Sequence, residues 1–181
     1  MKIKRIAVTG LVVGALGMGG AALAGPASAD TARSLPGHSE SFPVLRQGET
    51  SEEVRALQWL LNCRGLRIPV PSHFGPRTYS AVRTYQSAHR LHADGVVGAA
   101  TWTDLLSRAQ VRYGDRNDCV KAAQVLLNKY HHPYHFSDLP ISGYFGPQTR
   151  SALHIVQARA HVATADTITV PTWSILLFPG D

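Results

Sequence analysis

Nine histidines stand in the chain, and His131-His132-Pro133-Tyr134-His135 is their one local cluster. Two histidines bind zinc from a helix when they sit one turn apart, as in H-E-x-x-H, and Pro133 breaks any helix here. Asp138 is the nearby carboxylate, and no Cys lies beside the cluster at metal-ligand spacing. The arrangement therefore reads as a polar loop that gains charge as pH falls, and neither a metal nor a cofactor is expected. Cleavage of a sugar polymer would need two carboxyls facing each other across a cleft, one in apolar surroundings. The candidates Glu52, Glu53, Asp94, Asp104, Asp115, Asp118, Asp138 and Asp166 fall mostly at expected helix starts and turns, where capping accounts for them. Neither G-x-S-x-G nor G-x-x-x-x-G-K-[ST] occurs. The expectation is a protein that is not an enzyme.

The chain has 181 residues, 44% of them hydrophobic and 17% charged, which is globular composition with room for one domain or two small ones. Eighteen Lys and Arg against twelve Asp and Glu give a formal charge of +6. Lys2, Lys4 and Arg5, however, precede the apolar, Gly-rich run Ile6 to Ala24 and the small residues Ala27-Ser28-Ala29. This is the pattern of a secretory signal peptide over residues 1–29, cleaved before Asp30, with a retained anchor as the alternative. Without it the charge is +3, with no dense basic cluster, so nucleic acid is not an expected partner. No later stretch reaches the ~18 apolar residues of a membrane span. The mature protein is expected to be secreted, extracellular or associated with the cell wall, and free of the membrane. In an oxidising compartment Cys63 and Cys119 are expected to pair, the alternative being two buried thiols. The bridge would close a loop of about 57 residues, worth about 4 kcal/mol in the chain-entropy account.

An internal repeat organises the remainder. Gly48, Val54, Gln58, Leu60, Leu61 and Asn62 recur 66 residues later as Gly114, Val120, Gln124, Leu126, Leu127 and Asn128. Phe74-Gly75-Pro76, Thr78, Ala81, Gln86, Thr101-Trp102 and Leu105-Leu106 recur 71 residues later as Phe145-Gly146-Pro147, Thr149, Ala152, Gln157, Thr172-Trp173 and Leu176-Leu177. The difference of five residues predicts a longer first loop in the second copy. Val54, Leu57, Gln58 and Leu61 have helical spacing behind the cap candidates Thr50 and Ser51, and Asn117 caps the equivalent helix. Pro76 and Pro147 fit the first turn of a second helix. A short third helix ends near Leu106 or Leu177. The Asp94-Gly95 turn returns Val96 or Val97 to the core. The expected architecture is all-α: a linker over 30–42, then two tandem three-helix bundles over 43–106 and 111–177.

Gly48, Val54-x-x-Leu57-Gln58, Phe74-Gly75-Pro76-x-Thr78, Ala81-Val82, Tyr85-Gln86 and Asp94-Gly95-Val96-Val97-Gly98-x-x-Thr101-Trp102 resemble the peptidoglycan-binding-like domain, a three-helix module of bacterial cell-wall proteins. The resemblance covers the first copy well and the second less well, since Ala165-Asp166-Thr167-Ile168-Thr169 replaces the Asp94 to Gly98 turn. It implies attachment to peptidoglycan, through its glycan strand or stem peptide, and a separate cell-wall hydrolase as a further partner. Signal, linker and two copies are expected to account for the sequence and to leave no segment for a catalytic domain.

Such a ligand calls for hydrogen-bond donors, a cation and an aromatic plane. The candidates are Phe74, Arg77, Tyr79, Arg83, Asp94 and Gly95 in the first copy, and Tyr144, Gln148 and Arg150 in the second. Each has a plainer reading. Phe74, Phe145, Trp102 and Trp173 have core spacing, and the arginines could be solvated surface. Gln58, Gln86, Gln124 and Gln157, on apolar stripes, are expected to satisfy loop backbone groups. Two weak sites on one body would bind a repeating polymer by avidity.

Overall fold

Helix α1, Glu52–Cys63, starts where its sequence says it should. The Ser51 hydroxyl accepts the Val54 N–H at 3.2 Å, and Glu52 and Glu53 complement the positive end of the helix. It stops at Arg64 and Gly65, whose N–H groups bond back into the last turn while Gly65 takes φ +89°. Helix α2, Pro76–Ala88, and helix α3, Ala99–Ser107, complete the first half. The second half has helices α4, Asp118–His131, α5, Pro147–Arg159, and α6, Val170–Leu177. Asn117 Oδ1 caps α4 by accepting the Val120 N–H at 3.0 Å, and Pro147 opens α5 as Pro76 opens α2. The computed structural model describes residues 42–131 and 138–178. The leader, the linker as far as Ser41 and the histidine cluster after the backbone of His131 lie outside the described residues.

The fold is all-α, with one short antiparallel pairing that the helical periodicity did not announce. Strand β1, Val111–Arg112, pairs with β2, Thr167–Ile168, in the register Val111 to Ile168. In the first half a single bridge, Leu45 to Val97, does the same work through N–H···O bonds of 3.1 and 2.9 Å. Each pairing ties the entering chain to the segment just before the third helix. The tryptophans add a second tie. Trp102 Nε1 donates to Pro43 O at 2.7 Å and Trp173 Nε1 to Ala109 O at 3.0 Å, both rings fully buried. Pro43 and Ala109 are themselves 66 residues apart, so the two indoles have equivalent surroundings.

The buried glutamines serve the loops, as their positions predicted. Gln58 Nε2 donates to His73 O and Thr78 Oγ1 at 2.9 Å each, and its Oε1 accepts the Ser72 N–H at 3.1 Å. Gln124 repeats this with Tyr144 O, Thr149 Oγ1 and the Gly143 N–H. An unpaired amide buried at that depth would be costly, and these are saturated.

The buried apolar residues of both halves form one continuous cluster. Helices α1 and α4 lie antiparallel in its middle. The Cys63–Cys119 disulfide, Cα–Cα 5.3 Å, joins the end of α1 to the start of α4. At the opposite end Glu53 receives an ion pair from Lys129. With the offset of 66, Glu53 corresponds to Cys119 and Cys63 to Lys129. The two clamps therefore occupy exchanged positions, which is the pattern of a two-fold, self-complementary interface. One of its two equivalent places is filled by a covalent bond and the other by an ion pair.

Candidate functional site

The Asp94-Gly95 turn is built around Gln86. Its Nε2 donates to Val96 O at 2.8 Å, Asp94 Oδ1 at 3.0 Å and Thr101 Oγ1 at 3.2 Å, while its Oε1 accepts the Gly95 N–H at 2.9 Å. Gly95 takes φ +77°, and a Cβ there would run into the Tyr79 ring. Only glycine allows this turn and this ring to meet. Arg83, one turn along α2 from Tyr79, sets its guanidinium 5.9 Å from the centre of that ring and donates to Ala93 O at 3.0 Å. Burial pushes the Asp94 carboxyl up, but bonds from the Val96 N–H, the Gln86 amide and His92 outweigh it and hold the group below the usual carboxylate range.

Tyr79, Arg83, Asp94 and Gly95 are thus brought together along one side of α2, beside a shallow groove of about 600 Å³. Two candidates change role. Phe74 is fully buried, its ring in the core, so its side chain cannot meet a ligand. Gly95 is also buried and acts by its conformation, not its surface. Arg77 is exposed and lies on the other side of α2, where a second groove of about 520 Å³ runs between the α1–α2 loop and the start of α2. Arg67 lines that groove too. It escaped the sequence reading because it follows no motif and reaches the groove only through the fold of its loop.

In the second half the candidates are arranged differently. Tyr144 packs on Gly146 and carries the Arg116 guanidinium 3.7 Å from its ring centre. Arg116 was not anticipated, since 28 residues separate it from the tyrosine. Gln148 is exposed on the first turn of α5. Arg150 is engaged: its Nε meets Asp166 Oδ1 at 2.8 Å, and its guanidinium lies 5.5 Å from the Tyr113 ring. His154 Nε2 reaches the same Asp166 oxygen at 2.7 Å. The bond from Arg150 is the largest influence on the Asp166 carboxyl; burial opposes it, and with the bond from His154 added the group is held below its ordinary range.

The most loaded carboxylate is Asp104. It accepts the Tyr85 hydroxyl, meets His89 Nδ1 at 2.8 Å and receives Arg108 Nε at 3.1 Å. Burial raises its pKa, yet the donors, Arg108 foremost, bring it below the usual range, while burial and the carboxylate push the Tyr85 phenol up. A carboxylate held ionised by three donors is organised for structure. Among the described residues no group of three or more His, Cys, Asp and Glu side chains could hold a metal ion. No described helix is long and apolar enough to cross a membrane.

Comparison with known proteins places this geometry. Residues 50–105 match the family described as "Putative peptidoglycan binding domain". An uncharacterized protein of Kitasatospora aureofaciens is 38% identical over 108 residues, covering 58% of this chain and 89% of that one. The zinc D-Ala-D-Ala carboxypeptidase of Streptomyces albus G is 37% identical over 65 residues, 34% of this chain and 26% of the enzyme. A crystal structure of a peptidoglycan-binding protein from Clostridioides difficile is 41% identical over a stretch covering 35% of this chain and 40% of that chain, with a TM-score of 0.35. The chain therefore spans well under half of the carboxypeptidase and of the clostridial protein. The matched residues carry α1, α2, the Gln86-organised turn and nearly all of α3, so the first half of the chain is a domain of the peptidoglycan-binding family.

Proposed function

We propose that this is a secreted, non-catalytic cell-wall protein that binds peptidoglycan, with the surface around α2 of the first half as its binding face and the second half a divergent tandem copy that braces it. One observation carries the reading. The family match falls on the half in which the turn around Gln86 is complete and in which Arg67 and Arg77 have no protein partner among the described residues. In the second half Asp138 and Gln148 stand at the positions of Arg67 and Arg77, and the counterparts of Tyr79, Arg83 and Gly95 are tied together as Arg150, His154 and Asp166. The secretory leader pattern and the disulfide agree with a protein working outside the cytoplasm. A second reading draws on the segment shared with the carboxypeptidase: the chain would serve as the targeting partner of a separate cell-wall hydrolase.

Sedimentation with pure insoluble peptidoglycan tests the main reading. The full chain is expected in the pellet, and recovery in the supernatant would refute it. Purified walls should keep their turbidity in its presence, with or without chelator, and clearing would refute the non-catalytic part. Retention only after a hydrolase is added would favour the second reading.

A further inference from the structure

We propose that the groove between the α1–α2 loop and the start of α2 binds a carboxylate-bearing peptide, the class represented by the peptidoglycan stem peptide, and not the glycan strand. This rests on the binding function proposed above and specifies which part of the polymer is taken.

The groove encloses about 520 Å³, within the size range of small-ligand sites. Leu66, Ile68, Pro69, Pro76 and Ala81 form its aliphatic share, beside the hydroxyl residues Ser80 and Thr84. Arg67 and Arg77 line it, both exposed and neither with an acidic partner among the described residues. Two unpaired guanidinium groups beside aliphatic side chains complement a ligand with carboxylates and small apolar side chains, since guanidinium pairs with carboxylate in a planar, bidentate way. No aromatic residue lines this groove, so the face of a sugar ring would find nothing to stack on.

The loop is built to hold its shape. Asn62 clasps Ile68 by both backbone groups, accepting its N–H at 2.6 Å and donating to its carbonyl at 2.9 Å. Arg67, immediately before, is held at φ +48°, a conformation that side-chain-bearing residues seldom adopt. A fixed loop spares the ligand the cost of ordering it. The other grooves fit this chemistry less well. Across α2, Arg83 is already bonded to Ala93 O, and near Gly143 Lys121 is paired with Asp118 at 2.8 Å. In the second half Asn128 makes the same clasp on Leu139, but the offset of 71 puts Asp138 in place of Arg67 and Gln148 in place of Arg77. Both cations are gone, one of them by reversal of charge, so the peptide site belongs to the first half alone.

The test uses the full chain and an N-acetylated synthetic peptide ending in D-Ala-D-Ala, its C-terminal amide, and a short N-acetylglucosamine oligomer, followed by backbone amide NMR shifts. The free acid should shift residues of the α1–α2 loop and the first turns of α2, and the amide should bind about tenfold more weakly, the loss of one charge-assisted pair. Arg67→Gln and Arg77→Gln should each weaken the acid about tenfold, and Arg67→Gln/Arg77→Gln should lower retention on insoluble peptidoglycan, while Arg150→Gln changes neither. Equal binding of acid and amide, made on the unaltered chain, would overturn the proposal without reference to any variant. So would shifts at this groove with the sugar oligomer in place of the peptide, or full wall retention by the double variant. Absence of retention by the unaltered chain would instead refute the binding function itself.

Discussion

At the same place in the two halves the chain solves one problem in two ways. In the first, Tyr79 lies on Gly95, a glycine at φ +77° with no room for a Cβ. In the second, the offset of 71 turns these two residues into Arg150 and Asp166, which form an ion pair at 2.8 Å. Both arrangements fasten the second helix to the turn before the third. The first keeps Arg83 over the Tyr79 ring and on Ala93 O, and the second pairs Arg150 with Asp166. The difference runs further. The Asp104 cluster with Tyr85 and His89 corresponds to Ile175, Val156 and Ala160, so a half-buried polar network has an apolar counterpart. A helical core sustains either version, because burying apolar groups and saturating polar ones both avoid the penalty of an unpaired buried group.

Replacing Cys63 and Cys119 by Ala should cost about 4 kcal/mol of stability, from the entropy of the loop they close. Chemical denaturation of the oxidised protein and the double variant measures it. A loss under about 1 kcal/mol would mean that the α1–α4 packing alone fixes the halves, since disulfide removal from small secreted domains usually costs several times that.

A smaller effect sharpens the Tyr79 and Gly95 contrast. Gly95→Asp alone should destabilise by about 3 kcal/mol, combining the left-handed backbone with the clash against the tyrosine ring. Adding Tyr79→Arg installs the pair found in the second half and should restore part of the loss, a coupling that a double-mutant cycle reads directly. If the two costs simply add, the pairs are not interchangeable solutions.

The smallest effect concerns the two ends of the α1–α4 interface. Burial pushes Glu53 up, but Lys129 and the cap around Ser51 bring its carboxyl below the usual range. A carboxyl lowered in the folded state adds stability that is complete above its unfolded pKa and is lost as pH falls through the folded one. Glu53→Gln should therefore cost about 1 kcal/mol at neutral pH and show a shallower loss of thermal stability below about pH 4. An unchanged acid profile would show that the ion pair contributes nothing and that the disulfide end holds the interface by itself.

The helices, their caps and the loop-bonding glutamines were legible because each depends on residues close in sequence or on a periodic stripe. Ser51, Asn117, Pro76 and Pro147 sit where capping rules put them. The turn at Gly95 was legible for the same reason. The strand pairing of Val111 with Ile168 was not, since two residues are too few for any period to register. Phe74 was a candidate for contact with ligand because its loop lies at the surface, yet the ring turns inward and is lost to the core. Arg67 and Arg116 gave no signal, because each matters through a neighbour that is distant in sequence.

The order of apolar, capping and turn residues, and their recurrence at offsets of 66 and 71, determined by themselves that helical units would form and where each would begin and end. Those are local matters, set by backbone hydrogen bonds within a few residues. Only the tertiary structure decided that α1 and α4 meet antiparallel, with a disulfide at one end and the Glu53–Lys129 pair at the other, and that Arg67 and Arg77 face one groove while Arg150 is spent on Asp166. Which cations stay free depends on distances between side chains far apart in the chain, and those distances exist only once the core has closed.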